Sequence, residues 1–196
     1  MKLYVVIDTN VIVSGLLTKN NQSPTRLILD SVIADKIIPV LNPEIFAEYK
    51  EVLSRSKFRL NELEVQYVLD LFSVKGEVYY RKSTNLILPD PDDLVFYETY
   101  LACEASYLVT GNRKHFPVDG KIVLPSDMVQ IVYQIDHMSD GVLSEPVVKY
   151  ISDSKDKAIQ RALEAIERIR MSAIENGTAD MSMEEIDEEI RKSRRA

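Results

Sequence analysis

Residues 1–20, MKLYVVIDTNVIVSGLLTKN, place an aspartate directly after an apolar run. The run, Leu3 to Ile7, is rich in β-branched residues and predicts a buried β-strand. Asp8 follows at the end of this strand. A lone charge in such a place costs several kcal/mol unless it is paired, hydrogen-bonded or bound to a metal. We therefore expect other polar side chains to converge on Asp8.

Helix and strand signals alternate along the chain after this first strand. Ser23–Pro24 and Asn42–Pro43 are typical helix starts, and Gly76 is typical of a helix end. Short runs between the helical segments favour strands: KIIPVL (36–41), EVYYR (77–81), SYLVT (106–110) and GKIVLP (120–125). This alternation predicts an α/β fold with a parallel sheet and helices on its faces. Functional groups in such sheets gather beyond the carboxyl ends of the strands, where Asp8 lies.

The composition is that of a soluble globular protein, with 45% hydrophobic and 28% charged residues. The single cysteine, Cys103, excludes a disulfide framework within one chain and a multi-cysteine zinc site. The apolar run before Asp8 is too short for a signal peptide, and no stretch approaches the roughly 20 apolar residues of a membrane span. We expect a soluble protein of a reducing compartment, most simply the cytoplasm.

Two further segments supply carboxylates that could join Asp8. Glu48 lies at the border of the apolar face of the helix that follows Asn42. The stretch LPDPDD (88–93) places Asp90, Asp92 and Asp93 before the next helix, and Asp93 leads into its apolar face. Taken singly, Glu48 also fits an ordinary surface glutamate, and the three aspartates also fit helix capping.

A polar turn of Thr110, Gly111 and Asn112 follows the strand 106–109. It lies at the same sheet edge as Asp8 if the two strands are parallel, although an ordinary Asn-containing turn would look the same. Clustered carboxylates repel unless cations neutralise them, and oxygen ligands without Cys or His companions select Mg²⁺ or Mn²⁺. Such ions suit phosphodiester hydrolysis. The net charge of −7 argues mildly against a protein that coats nucleic acid, but it does not exclude an enzyme whose acidic pocket is neutralised by divalent cations.

Four segments in this order resemble the PIN-domain family across about residues 1–135: VVIDTNVIVSGLL (5–17), EIFAEYKEVLSR (44–55), DPDDLVFYETYLACEASYLVTGN (90–112) and RKHF (113–116). The resemblance implies a three-layer α/β/α sandwich and, commonly, metal-dependent endoribonuclease activity. Many small bacterial members are toxins of toxin–antitoxin pairs. We therefore treat residues 1–135 as a PIN-like nuclease domain.

The resemblance also implies roles for individual residues. The metal-binding acids for Mg²⁺ or Mn²⁺ are Asp8, Glu48 and Asp93, and the expected supporting residues are Asn10, Thr110 and Asp92. Asn112 belongs to the expected catalytic set, but it stands where many members carry a fourth acid. This replacement leaves two readings open, a metal-dependent endoribonuclease and a catalytically weak module that binds RNA or protein.

The chain changes character after about residue 135. Residues 136–154 favour a linker, and 155–196 form a helical tail similar to the C-terminal segments of antitoxins that wrap PIN toxins. An amphipathic hairpin that merely extends the fold is the alternative. The last helix begins at a Ser182–Glu185 capping box, and its expected inhibitory residues are Met183, Ile186, Ile190, Arg191 and Arg194.

The tail is expected to dock on its own domain or on that of a neighbour in a homo-oligomer. Arg191 or Arg194 would then enter the carboxylate pocket, because an arginine can fork onto two carboxylate oxygens. RNA would be steered by basic residues around the pocket, for which plain solvated surface is the alternative. The candidates for RNA binding are Arg55, Lys57, Arg113 and Lys114.

Overall fold

The computed structural model describes residues 2–104, 107–139 and 153–194. Within these ranges five strands form one parallel sheet in the order β3-β2-β1-β4-β5. The strands are β1 (Leu3–Ile7), β2 (Ile37–Leu41), β3 (Glu77–Val78), β4 (Tyr107–Val109) and β5 (Ile122–Val123). Ser106, the first residue of one predicted strand, lies outside the described residues.

Helices flank the sheet. They are α1 (Thr9–Leu17), α2 (Pro24–Ile33), α3 (Pro43–Leu53), α4 (Glu62–Lys75), α5 (Leu94–Ala102), α6 (Pro125–Ser139), α7 (Asp153–Asn176) and α8 (Met183–Ser193), with 3-10 turns at Pro91–Asp93 and Arg113–His115. A parallel sheet with flanking helices and a C-terminal helical extension confirms the predicted fold class. None of the described helices is long and apolar enough to span a membrane.

β1 lies at the centre of the sheet and is apolar because both of its faces are covered. Its register with β4 pairs Ile7 with Val109, so the two strands end side by side. The backbone N–H of Asp8 donates to the carbonyl of Val109 at 2.9 Å. Asp8 and Thr110 are therefore adjacent at the carboxyl edge of the sheet.

α1 begins immediately after Asp8, where the sequence predicts no helix. The helix is buried on nearly all sides, so its apolar residues show no amphipathic period. Gly15 lets α2 approach closely, since a Cβ atom there would lie 2.6 Å from the carbonyl oxygen of Thr25. α1 fixes the backbone on the C-terminal side of Asp8.

The predicted tail contains α7 and α8, with Gly177 in the left-handed conformation (φ 73°) after the end of α7. Residues 136–139 and 153–154 of the predicted linker are helical, whereas 140–152 lie outside the described residues. α7 packs on α4 and α1. Its buried apolar residues belong to the same core as the sheet: Ala162, Ile166, Ile169 and Ala173.

Candidate active site

Three acidic side chains converge at the carboxyl edge of the sheet. Asp8 follows β1, Glu48 lies on α3, and Asp93 ends the 3-10 turn before α5. Asp8 and Asp93 are each only 4% exposed. The structure thus brings together the three acids that the sequence singles out, although they are 40 or more residues apart along the chain.

Asp8 is held by two side-chain donors. The hydroxyl of Thr110 donates to its Oδ2 at 2.6 Å, and the amide of Asn10 donates to the same oxygen at 3.2 Å. Burial, followed by the nearby charge of Asp93, raises the pKa of Asp8 to about 8. Asn10 also accepts a hydrogen bond from the backbone of Gly111 at 3.1 Å, which ties the two strand ends together.

Glu48 is oriented by a residue that sequence reasoning missed. The hydroxyl of Thr9 donates to Glu48 Oε1 at 2.6 Å. Burial raises the pKa of Glu48, against the opposing effects of Arg194 and Thr9. The position of Thr9 in the sequence could have indicated this role, because Thr9 directly follows Asp8 and starts α1 at the same edge.

His115 connects Asp93 to Asn112. Its Nδ1 lies 2.7 Å from Asp93 Oδ2, and its Nε2 lies 2.9 Å from the amide nitrogen of Asn112. Because that amide nitrogen can only donate, Nε2 accepts, and in a neutral ring Nδ1–H then donates to Asp93. His115 is not among the site residues predicted from the sequence, yet in the structure it positions an acid of the pocket.

Asp90, and not the exposed Asp92, faces the pocket. One ligand atom each from Asp90, Asp93 and His115 lies within 4.8 Å of the others, a spacing that could hold a metal ion. The side chain of Asp90 also accepts the backbone N–H of Asp92, which fixes the turn before α5. The capping and pocket roles considered for these aspartates thus coexist in Asp90.

Arg194, from the end of α8, lies among these carboxylates. Its Nη2 and Nε bind the two oxygens of Glu48 at 3.0 and 3.3 Å. Its Nη1 donates to Asp93 Oδ1 at 2.8 Å and to Asp90 Oδ2 at 3.1 Å. Burial alone would lower the pKa of Arg194, but the charges of Glu48 and Asp93 outweigh it and raise that pKa. The side chain is 8% exposed, so a buried cation occupies the centre of the acidic cluster.

α8 docks on the same edge through apolar and polar contacts. Ile186 and Ile190 are buried, and Met183 covers Gly111, where a Cβ atom would lie 2.7 Å from the methionine sulfur. Asp187 accepts a hydrogen bond from the Asn10 amide at 2.9 Å. Both arginines that the sequence proposes for the pocket line it, but only Arg194 binds the acids. Arg191 is exposed, and its Nε donates to the backbone carbonyl of Asp187 at 3.3 Å.

The four basic residues proposed for RNA binding differ in their surroundings. Lys57, Arg113 and Lys114 are exposed. Arg55 instead pairs with Glu189 of α8, with Nε 2.7 Å from Oε1. α8 therefore covers both the acidic cluster and one of its basic neighbours.

Sequence comparison identifies the family to which this fold and site belong. Residues 4–114, more than half of the chain, match the family model of the PIN domain. The chain therefore belongs to the PIN-domain family, whose members are generally metal-dependent nucleases. Comparisons with curated proteins and with solved structures gave no match.

The donor set fits a divalent metal. Carboxylate oxygens dominate the cluster, and the guanidinium of Arg194 already neutralises part of its charge. Arg194 is a single cation that faces Glu48, Asp90 and Asp93, with Asp8 beside them, so the acids outnumber the positive charge in the pocket. Hard cations bound by oxygen ligands suit such a pocket.

Proposed function

We propose that the protein is a cytoplasmic, Mg²⁺- or Mn²⁺-dependent endoribonuclease of the toxin–antitoxin type, restrained by its own C-terminal helix. The observation that carries this proposal is the position of Arg194. Its guanidinium binds Glu48, Asp90 and Asp93 together, at distances of 2.8 to 3.3 Å. A cation from the tail occupies the place where the acids would hold a metal.

Asp8, Glu48 and Asp93 are the residues that would hold the ion. When bound, a divalent ion polarises a phosphoryl oxygen and lowers the pKa of a bound water. Thr110, Thr9 and His115 each hold one of these acids through a hydrogen bond of 2.6 to 2.7 Å. The acids are thus positioned before any ion or substrate arrives, as catalysis by preorganised groups requires.

The restraint follows from competition for the same oxygens. Both oxygens of Glu48 and Oδ1 of Asp93 are bound to Arg194, and a divalent ion on those oxygens would be repelled by the guanidinium. Ion binding and tail docking therefore exclude one another. Arg113 and Lys114, exposed on the loop that carries His115, are available to RNA phosphates in either state.

A second function is favoured by one specific observation. Asn112 supplies no charge, and its amide nitrogen is engaged by His115 at 2.9 Å. With a neutral amide where many family members carry an acid, the pocket would bind metal more weakly, which suits a module that binds RNA or protein without cutting it. In that case release of the tail would increase binding and leave RNA intact.

Cleavage of a labelled single-stranded RNA separates these functions. We compare the full chain, Arg194→Ala and Arg194→Ala with Asp8→Asn, each with Mg²⁺, Mn²⁺ or EDTA. Metal-dependent internal cleavage that rises in Arg194→Ala and disappears with Asp8→Asn is the expected result. Absence of cleavage by Arg194→Ala, under conditions in which it binds both Mn²⁺ and RNA, would establish the binding module instead.

The tail docks on the domain of its own chain in the described structure. We propose this arrangement for the restrained state, with exchange of tails in a homo-oligomer as the alternative. Restraint within one chain is independent of protein concentration, whereas exchange weakens on dilution. Specific activity that is constant from micromolar to nanomolar protein supports docking within one chain, and activity that rises on dilution supports exchange.

A further inference from the structure

The docked edge of α8 contains a buried carboxylate. Ile186, Ile190 and Ser193 share this edge, as residues three or four apart on a helix do, and Glu189 lies among them with 8% of its surface exposed. A buried carboxylate is costly unless a cation pairs with it. Its closest cation is Arg55, with Nε 2.7 Å from Oε1, and Lys192 of the same helix lies 3.7 Å from Oε2.

This pair is a poor choice for stability alone. Replacing a buried ion pair by apolar residues is often neutral or stabilising, because the desolvation cost offsets the attraction between the charges. If docking were the only requirement, apolar residues at both positions 55 and 189 would serve it as well. The charge of Glu189 is better explained by what Arg55 binds when α8 is absent.

Arg55 lies close to the acidic cluster. It follows Glu48 by seven residues along α3 and its C-terminal turn, which corresponds to about 10 Å at 1.5 Å per residue. Lys57 is exposed two residues further along. A nucleic-acid strand with one phosphate at the acids would bring a neighbouring phosphate to this basic turn.

α8 thus presents opposite charges to two neighbouring sites. Arg194 gives a cation to the acids, and Glu189 gives an anion to Arg55. The two residues are five positions apart, about 7.5 Å along the helix, a distance of the same order as the roughly 10 Å between Glu48 and Arg55 along α3. One short helix therefore reproduces the charges of a metal ion and of a phosphate beside it.

We propose that Arg55, assisted by Lys57, binds a backbone phosphate of single-stranded RNA, and that Glu189 occupies this phosphate site while α8 is docked. The inference rests on the proposed function in taking RNA as the substrate. It assigns to α8 a second inhibitory contact, directed at substrate binding and separate from the contact of Arg194 with the metal ligands.

The test measures RNA binding without metal or cleavage. The anisotropy of a fluorescein-labelled single-stranded RNA is followed in EDTA as the full-length protein is added, at several salt concentrations. Glu189→Gln removes the charge and keeps the shape, so it should tighten binding at least about tenfold. The slope of log Kd against log salt should steepen by about 0.7, as expected for one additional phosphate contact.

Glu188→Gln is the matched control. It removes the same charge from the neighbouring position, where the side chain is exposed and pairs with Lys192 at 3.0 Å. Its effect on RNA binding should be small, and addition of Arg55→Gln to Glu189→Gln should abolish the gain. Equal tightening by the two glutamine variants would overturn the proposal, since only net charge would then matter.

A second measurement covers the case in which Glu189→Gln disturbs folding. In the Arg194→Ala background, where the tail is weakened, Arg55→Gln should loosen RNA binding in EDTA at least about tenfold. No change there would also overturn the proposal. Failure of the nuclease proposal appears elsewhere, as intact RNA in the presence of Mg²⁺ or Mn²⁺, so the two failures are distinguishable.

Discussion

Arg194 binds Glu48 as a fork, with Nη2 3.0 Å from Oε1 and Nε 3.3 Å from Oε2. The two residues are 146 positions apart in the sequence. Bidentate contacts of this kind are among the strongest hydrogen-bonded ion pairs in proteins, and lysine cannot reproduce their geometry. The last helix of the chain is thus held by the carboxylates that we propose as metal ligands.

Metal should stabilise Arg194→Ala more than the unaltered protein, because in this variant no guanidinium of residue 194 competes with the ion for the carboxylate oxygens. At 100 times its dissociation constant, an ion adds about 2.7 kcal/mol to the free energy of unfolding. For a chain of this size that corresponds to about 5–10 °C in Tm. The measurement is thermal unfolding with Mn²⁺ and with EDTA.

Arg191→Ala is the matched control for this experiment, since Arg191 lines the same pocket three residues away on α8, but its guanidinium donates to the backbone carbonyl of Asp187 and not to a pocket acid. Its metal-induced rise in Tm should equal that of the unaltered protein. If Arg194→Ala and the unaltered protein gain the same Tm from Mn²⁺, Arg194 does not compete with the ion.

The stability of the metal-free protein should depend on the ionisation of Asp8. The folded pKa of about 8 lies above the ordinary value of 3.8, so between these values the folded state binds more protons than the unfolded state. The contribution of Asp8 to stability is therefore present at low pH and is lost as the pH rises towards 8, with a slope of up to about 1.4 kcal/mol per pH unit.

Asp8→Asn replaces this carboxyl group by an amide that does not titrate. The free energy of unfolding, measured by urea titration in EDTA, should fall less in Asp8→Asn than in the unaltered protein as the pH increases from 5 to 8. A constant difference between the two proteins over this range would contradict a raised pKa. Asp8→Asn should also lose the stabilisation by Mn²⁺.

The two tail helices should respond differently to truncation. Removal of α8, by ending the chain after Asp180, leaves α7 and its buried residues Ile166 and Ile169 in place. This variant should fold and show higher ribonuclease activity. Ending the chain before α7 exposes the surface of α4 and α1 that α7 covers, and this variant should lose most of its stability.

Circular dichroism and urea unfolding of both truncated chains test this difference. Equal activity of the full chain and the chain without α8, at matched folding, would show that α8 does not restrain the enzyme. A stable chain without α7 would show that the whole tail is an appendage on a complete domain.

The place of Asp8 could be predicted from sequence because it depends on a strand end. Asp8 and Thr110 each follow an apolar run that predicts a strand. Because the carboxyl ends of parallel strands meet at one edge of a sheet, the sequence predicts that these two residues lie close together. α1 was not predictable in the same way. Its residues are apolar on nearly every side, and the period that distinguishes a helix from a strand is absent.

The partners of the acids were harder to predict because they depend on tertiary contacts. His115 is 22 residues from Asp93, and nothing in its loop indicates that its ring faces that carboxylate. Helical spacing placed Arg191 and Arg194 on one face but could not choose between them, because the choice depends on how far α8 slides along α1 and α3. Glu189 lies on the docked edge of α8 with Arg55 opposite it, and the sequence does not show that this cation is there.

Asn112→Asp should strengthen metal binding. The substitution adds an anion to a pocket that already contains Asp8 and Asp93, and one more negative charge attracts a divalent ion. We expect about tenfold tighter binding of Mn²⁺. Isothermal titration calorimetry in the Arg194→Ala background measures this affinity without competition from the guanidinium of the tail.

Asn112→Ala is the control, because it removes the hydrogen bond to His115 without adding charge. If that bond holds His115 against Asp93, Asn112→Ala should bind Mn²⁺ no more tightly than the parent. Higher ribonuclease activity of Asn112→Asp would identify the missing fourth acid as the limit on turnover. Unchanged or weaker Mn²⁺ binding by Asn112→Asp would show instead that the neutral amide, through its contact with His115, already serves the pocket better than a fourth acid does.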